Sequence, residues 1–140
     1  MTNNCIFCSI ARKEKEVPFF QIYETNNFIA FLDIYPLSEG HTICIPKSHY
    51  PDVWSVPNID EFMRFCKTVA NKFQSVTGNR TVHSYILGTT VPHAAIHIVP
   101  NINIFNQYSF AYAQHKLIEQ FKRKSIMDIG AQIRDRYKVA

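Results

Sequence analysis

No apolar run in this chain is long enough to span a bilayer, and no apolar h-region opens it. A cytoplasmic location with no membrane partner is therefore expected. The chain also lacks internal repeats, low-complexity tracts and a linker between composition blocks. At 140 residues it reads as one domain, and its 46% hydrophobic content can bury a core without disulfide staples. A dominant basic stripe is missing as well. The net charge is +4, part of it in Lys122-Arg123-Lys124. Such an excess suits a small anionic ligand, and makes a dedicated nucleic-acid binder an unfavoured reading.

What is present is an alternation of strand and turn signals. Phe19 to Tyr23 and Asn27 to Asp33 read as strands joined by the polar turn Glu24-Thr25-Asn26. Tyr35 to Gly40 is a loop, and His41 to Ile45 a third strand ended by Pro46. His49 to Pro57 reads as irregular, with Trp54 packing a loop. From Ile59 to Val76 apolar residues recur at spacings of three and four, which predicts a long helix with Asn58 as N-cap and Gly78 as stop. Thr81 to Leu87 and Ala94 to Val99 follow as strands four and five. A short helical turn is expected at Ser9 to Arg12, and tail helices at about Tyr112 to Lys122 and Met127 to Tyr137. Strands joined by short turns predict an α+β fold with an antiparallel sheet.

The fifth strand contains a local absence. In Val91-Pro92-His93-Ala94-Ala95-Ile96-His97-Ile98-Val99-Pro100, residues His93, Ala95, His97 and Val99 share one face. Two histidines flank a methyl group where an imidazole would fit. His93 and His97 lie roughly 13 Å apart along an extended strand, too far to share one metal ion. They should serve different sites.

Cys5 and Cys8 have the spacing of two thiolates on one zinc ion, with His49 and His93 as candidate partners. Free thiols near the chain start are the bland alternative. Cys44 and Cys66 read as packing residues. His41 and His97, with the Gly88-Thr89-Thr90 turn, could serve an anion: backbone N–H groups and hydroxyls from the turn, a donor from His97, and orientation from His41. Each could equally be an ordinary half-buried histidine. Asp33 could accept from a ribose diol while Ile34 packs on a base, or could simply cap a turn. His83 and His115 read as bystanders.

Taken in order, Cys5-Ile6-Phe7-Cys8, Phe31-Leu32-Asp33-Ile34, Gly40-His41-Thr42-Ile43-Cys44-Ile45-Pro46-Lys47-Ser48-His49 and His93-x-Ala95-x-His97-Ile98-Val99-Pro100 resemble the histidine-triad (HIT) superfamily of nucleotide hydrolases and transferases. The resemblance covers roughly residues 4–100. It implies a five-stranded antiparallel sheet with one long helix, residues 1–100 being the HIT domain and 101–140 a helical extension packed on it. A homodimer is implied too. It further implies a nucleotide substrate, adenosine-containing by expectation, with a base pocket at Ile6, Phe7, Ile10, Phe31, Ile34 and Ile43. Asp33 would hold the ribose. Gly88, Thr89, Thr90 and His97 would cradle the phosphate, with His41 orienting the nucleophile. Structural zinc on Cys5, Cys8, His49 and His93 is implied as the cofactor site.

In the family mechanism the middle histidine attacks the α-phosphate and a nucleotidyl-histidine forms. Here that position is Ala95, and a methyl group cannot attack. The surroundings depart from the family pattern in three further places. Val82-His83-Ser84 stands where an amide side chain is usual, Thr89 replaces Gln, and Pro100-Asn101 replaces Pro-Arg. The leading expectation is therefore a nucleotide-binding protein whose active parent hydrolyses nucleoside phosphoramidates or dinucleoside polyphosphates, with Ala95 an inactivating substitution. The alternative is a naturally inactive nucleotide-binding sensor or adaptor. A third reading is a zinc-stabilised interaction protein whose tail is the functional part.

Overall fold

The structure is a computed structural model that describes residues 4–14, 19–88, 91–100 and 126–139. The predicted helix at 112–122 lies outside the described residues, as do Thr89, Thr90, His115 and the 122–124 basic cluster. Five strands form one antiparallel sheet: β1 (Gln21–Glu24), β2 (Phe28–Leu32), β3 (Thr42–Pro46), β4 (His83–Tyr85) and β5 (Ile96–Val99), in spatial order β1-β2-β3-β5-β4. The predicted α+β class and antiparallel sheet are therefore observed. Helix α1 spans Ile6–Ala11, α2 Ile59–Thr77 and α3 Ile126–Tyr137.

The period-2 alternation sorts the strand residues onto two faces. Leu32, Cys44, Ile96 and Ile98 pack with Phe62, Phe65, Cys66, Val69 and Phe73 of α2 and with Tyr137 of α3. The opposite face holds Ile29, Phe31, Ile43, Ile45 and Ala95 under Ile10 of α1. Ala94 and Ala95 thus fall in different clusters, as the alternation requires. Register completes the arrangement, because Phe31 pairs with Ile43, Ile43 with His97 and His97 with Tyr85.

Several boundaries differ from expectation. The first helix begins at Ile6, one turn earlier than the Ser9 start, because the Cys5 sulfur accepts from the Cys8 N–H and caps it. The fourth strand is three residues long, since only His83–Tyr85 finds partners on β5. Gly78 does stop α2, in the left-handed conformation glycine favours. Asn58 is not a side-chain cap: its amide donates to the Glu61 carboxylate at 2.9 Å. Asp52 caps a 3-10 turn at Val53–Ser55, within the segment expected to be irregular. Trp54 on that turn, expected to pack a loop, is instead 79% exposed.

Helix α3 bears on the loop that carries His41. Its Tyr137 is buried against Phe73, with ring centroids 5.1 Å apart, and its ring lies beside Gly40. Arg136 forms an ion pair with Glu39 of the same loop. The N–H of Val139 donates to the Ile22 carbonyl at 2.9 Å, fastening the end of the helix to β1.

Candidate functional site

Two clusters of polar side chains converge on the α1 side of the sheet. The first holds Cys5, Cys8, His49 and His93, whose ligand atoms all lie within 4.8 Å of one another. Cys5 and Cys8 come from the start of α1, His49 from the segment after β3, and His93 from the approach to β5. His93 Nδ1 is 3.3 Å from Cys5 Sγ and 3.5 Å from Cys8 Sγ, and His49 Nδ1 is 3.3 Å from Cys8 Sγ. The opposite nitrogen of His93 is 2.9 Å from the Pro46 carbonyl. A carbonyl can only accept, so Nε2 carries the proton and the Nδ1 lone pair faces the sulfurs. Metal-binding histidines are oriented in the same way.

Burial lowers the His93 pKa below the usual imidazole value, which keeps the ring neutral. Without a cation, burial and then Cys5 push the Cys8 thiol up to about 11. The donor set of two sulfurs and two imidazole nitrogens fits a tetrahedral zinc ion.

The second cluster is Asp33, His41, His97 and Tyr85. His41 is buried just before β3, and its Nδ1 accepts from the Leu37 N–H at 2.9 Å. Its proton must then sit on Nε2, which is 2.9 Å from His97 Nδ1. That contact makes His97 Nδ1 an acceptor and leaves the His97 proton on Nε2. One chain of hydrogen bonds, Leu37 to His41 to His97, thus sets both tautomers. Burial, with the neighbouring His97, drops His41 to about 3, and burial drops His97 to about 4. Both rings are neutral at pH 7.

Asp33 Oδ2 lies 3.5 Å from His41 Nε2 and 3.7 Å from His97 Nδ1, while Oδ1 accepts from the Tyr35 N–H at 2.8 Å. Burial raises the Asp33 carboxyl to about 6, against the lowering effect of the Tyr35 hydrogen bond. Asp33, His41 and His97 also have their donor atoms within 4.8 Å. A metal there would need the His41 Nε2 lone pair, which the Leu37 hydrogen bond reserves for a proton. The cluster therefore fits a proton-holding network better than a metal centre.

Tyr85 is a member the sequence did not reveal. Its ring stacks on His97 with centroids 4.4 Å apart and an interplanar angle of 11°, and its hydroxyl is 3.4 Å from His41 Nε2. Strand parity could have put Tyr85 on a face, but the register that sets it beside His97 is tertiary.

Ala95 is two residues from His97 and lies among Ile10, Phe31 and Ile43. Of the expected base-pocket residues, Ile10, Phe31 and Ile43 are buried, Phe7 is half-buried against Phe31, and Ile6 and Ile34 are exposed. Gly88 follows β4 with a positive φ of 73°. The structure thus divides His93 from His97, as the strand-length estimate required.

A family model described as HIT domain matches residues 14–104. A HIT-like protein of Borreliella burgdorferi is 33% identical over 88% of this chain and 94% of its own length. An adenosine 5'-monophosphoramidase of Saccharomyces cerevisiae is 34% identical over 69% of this chain and 61% of that enzyme. Among solved structures, a hypothetical histidine triad nucleotide-binding protein of Sulfolobus tokodaii superposes with a TM-score of 0.64 at 26% identity, covering 86% of this chain and 96% of that one.

Proposed function

The chain belongs to the HIT family, and from that premise we propose that it binds a nucleoside monophosphate unit on the α1 side of the sheet without cleaving it. The observation that carries this reading is an intact His41–His97–Asp33 network beside a methyl group at position 95. Asp33 accepts from the ribose diol. His97 donates its Nε2–H to a phosphate oxygen, and Gly88, Thr89 and Thr90 offer the turn's N–H groups and hydroxyls. The base lies against Ile6, Phe7, Ile10, Phe31, Ile34 and Ile43.

In an active parent, an imidazole at position 95 attacks the α-phosphorus. The bond to the amine or phosphate leaving group breaks, and water then hydrolyses the nucleotidyl-histidine. His97 cannot substitute as nucleophile, because its tautomer points a proton rather than a lone pair toward the ligand. Adenosine-containing phosphoramidates or dinucleoside polyphosphates are the substrates proposed for that parent.

We also propose a structural zinc ion on Cys5, Cys8, His49 and His93. When bound it would cross-link α1 to the sheet, and it takes no part in the phosphate chemistry. Residues 101–140 are proposed to be an extension packed on the domain, a reading that Tyr137 and Val139 support. A cytoplasmic homodimer completes the proposal.

The test is Ala95→His. With an adenosine phosphoramidate as substrate, hydrolysis should rise by about 10⁴- to 10⁶-fold, by analogy with nucleophile deletions in other enzymes. Folded variant that binds AMP yet gains no activity would refute the inactivated-hydrolase reading and favour a natural sensor or adaptor. The departures from the family pattern around Val82 and at Thr89 are what favour that second reading.

A further inference from the structure

Ala95 lines a cleft of about 430 Å³ together with His93, Trp54, Ile86 and Leu87. The last three side chains are 79%, 43% and 67% exposed, so they offer apolar surface to whatever enters. Gly88, the first residue of the phosphate turn, lines the same cleft. The cleft therefore adjoins the place assigned to the phosphate, and its described lining includes none of the base-pocket residues.

The indole is not on a loose loop. Trp54 sits at the centre of the Val53–Ser55 turn, and Asp52 Oδ1 accepts from both the Ser55 N–H at 2.9 Å and the Ser55 hydroxyl at 2.7 Å. The backbone that carries the ring is fixed in advance, which reduces the ordering cost of a ligand stacking on it. Among the described residues that line the cleft, Asp52 is the one with a formal charge. A second phosphate placed here would meet the Asp52 carboxylate. An uncharged or cationic aromatic group would meet an indole and two aliphatic chains.

We infer that this cleft is a subsite for an aromatic substituent carried on the nucleotide's phosphate, with Trp54 as its specificity-determining residue. The inference rests on the proposed nucleotide-binding reading and names the ligand class of the same site: nucleoside monophosphates bearing an aryl group rather than a polyphosphate chain. The volume is ample for one aromatic ring beside the space left by the missing imidazole.

Trp54 is the single tryptophan of the chain, so its fluorescence reports on this wall directly. The experiment titrates the full chain with AMP, with the N-methylamide and the N-benzylamide of AMP, and with ATP, by calorimetry and by tryptophan emission. The benzylamide should bind roughly three- to tenfold more tightly than the methylamide, the range expected for one aromatic pair. It should also change Trp54 emission, and should bind more tightly than ATP. In Trp54→Ala the benzyl-to-methyl affinity ratio should fall to near one, and in Trp54→Phe it should recover in part. Equal affinities for the two amides, tighter binding of ATP, or a benzyl preference that survives Trp54→Ala would each overturn the inference while leaving AMP binding intact. Failure of AMP itself to bind would instead overturn the nucleotide reading, and the subsite with it.

Discussion

Replacing Asp33 with Asn should make the protein more stable at neutral pH and a poorer ligand binder. The Asp33 carboxyl titrates at about 6 in the fold, against 3.8 for an ordinary aspartate. A raised carboxyl pKa means that the folded state holds its proton where the unfolded chain has lost it. Stability contributed by Asp33 is therefore present below pH 3.8 and is lost as pH rises through 6. At ~1.4 kcal/mol per unit, the buried carboxylate costs roughly 3 kcal/mol at pH 7. Asparagine is uncharged and keeps an oxygen for the Tyr35 N–H. Its amide N–H₂ would face the His41 Nε2–H, another donor, which offsets part of the gain from removing the charge.

Urea denaturation of both proteins between pH 4.5 and 8 measures the effect. The histidines act in the opposite sense. His41 and His97, with pKa values lowered to about 3 and about 4, lose stability as pH falls below 6.5. Their contribution is largely common to both proteins and cancels in the difference. Asp33→Asn should gain stability relative to the parent as pH rises from 4.5 to 7, by roughly 1–3 kcal/mol. AMP affinity should fall at pH 7.5, because the diol loses its charged acceptor. In the unsubstituted chain, AMP affinity should fall as pH drops through about 6. A variant less stable than its parent at pH 7.5, or one that binds AMP as well, would refute the idea that this carboxylate is kept charged for a ligand at a cost to the fold.

Two further outcomes follow from the structure. Removing zinc from the loaded protein should lower the unfolding temperature by roughly 10 °C, as expected for a ligand present at about a thousand times its dissociation constant; an unchanged melt after verified metal removal would exclude a structural role. Gly40→Ala should destabilise by roughly 2–4 kcal/mol in urea unfolding, because Gly40 has a φ of +89° and an added Cβ would lie 3.0 Å from both Pro100 and the Tyr137 ring. A cost below about 0.5 kcal/mol would mean that α3 does not brace the His41 loop.

Periodicity carried most of the legible structure. The spacing of Phe62, Cys66, Val69 and Phe73 identifies α2 and its buried face, and strand alternation separates Ala94 from Ala95. Both are local patterns with a fixed physical period. Element ends were less legible, since they depend on partners. Thr81 to Leu87 has a strand-like composition, yet only three of its residues pair with β5. Trp54 has the composition of a packing residue, but its turn holds it out at the rim of a cleft.

The sequence by itself determined the motif spacings and the gap between two histidines, because motif order and strand parity require no knowledge of distant partners. Cys5-x-x-Cys8 and the His93-Ala95-His97 spacing belong to that part. Only the tertiary structure decided what each group can do chemically. The Pro46 carbonyl turns the His93 lone pair toward the thiols, while the Leu37 N–H forces the His41 proton onto Nε2 and makes His97 a donor. Tyr85 reaches His97 through strand register. A tautomer is set by whatever atom faces the ring, and these atoms come from distant elements or from backbone that no side-chain pattern records.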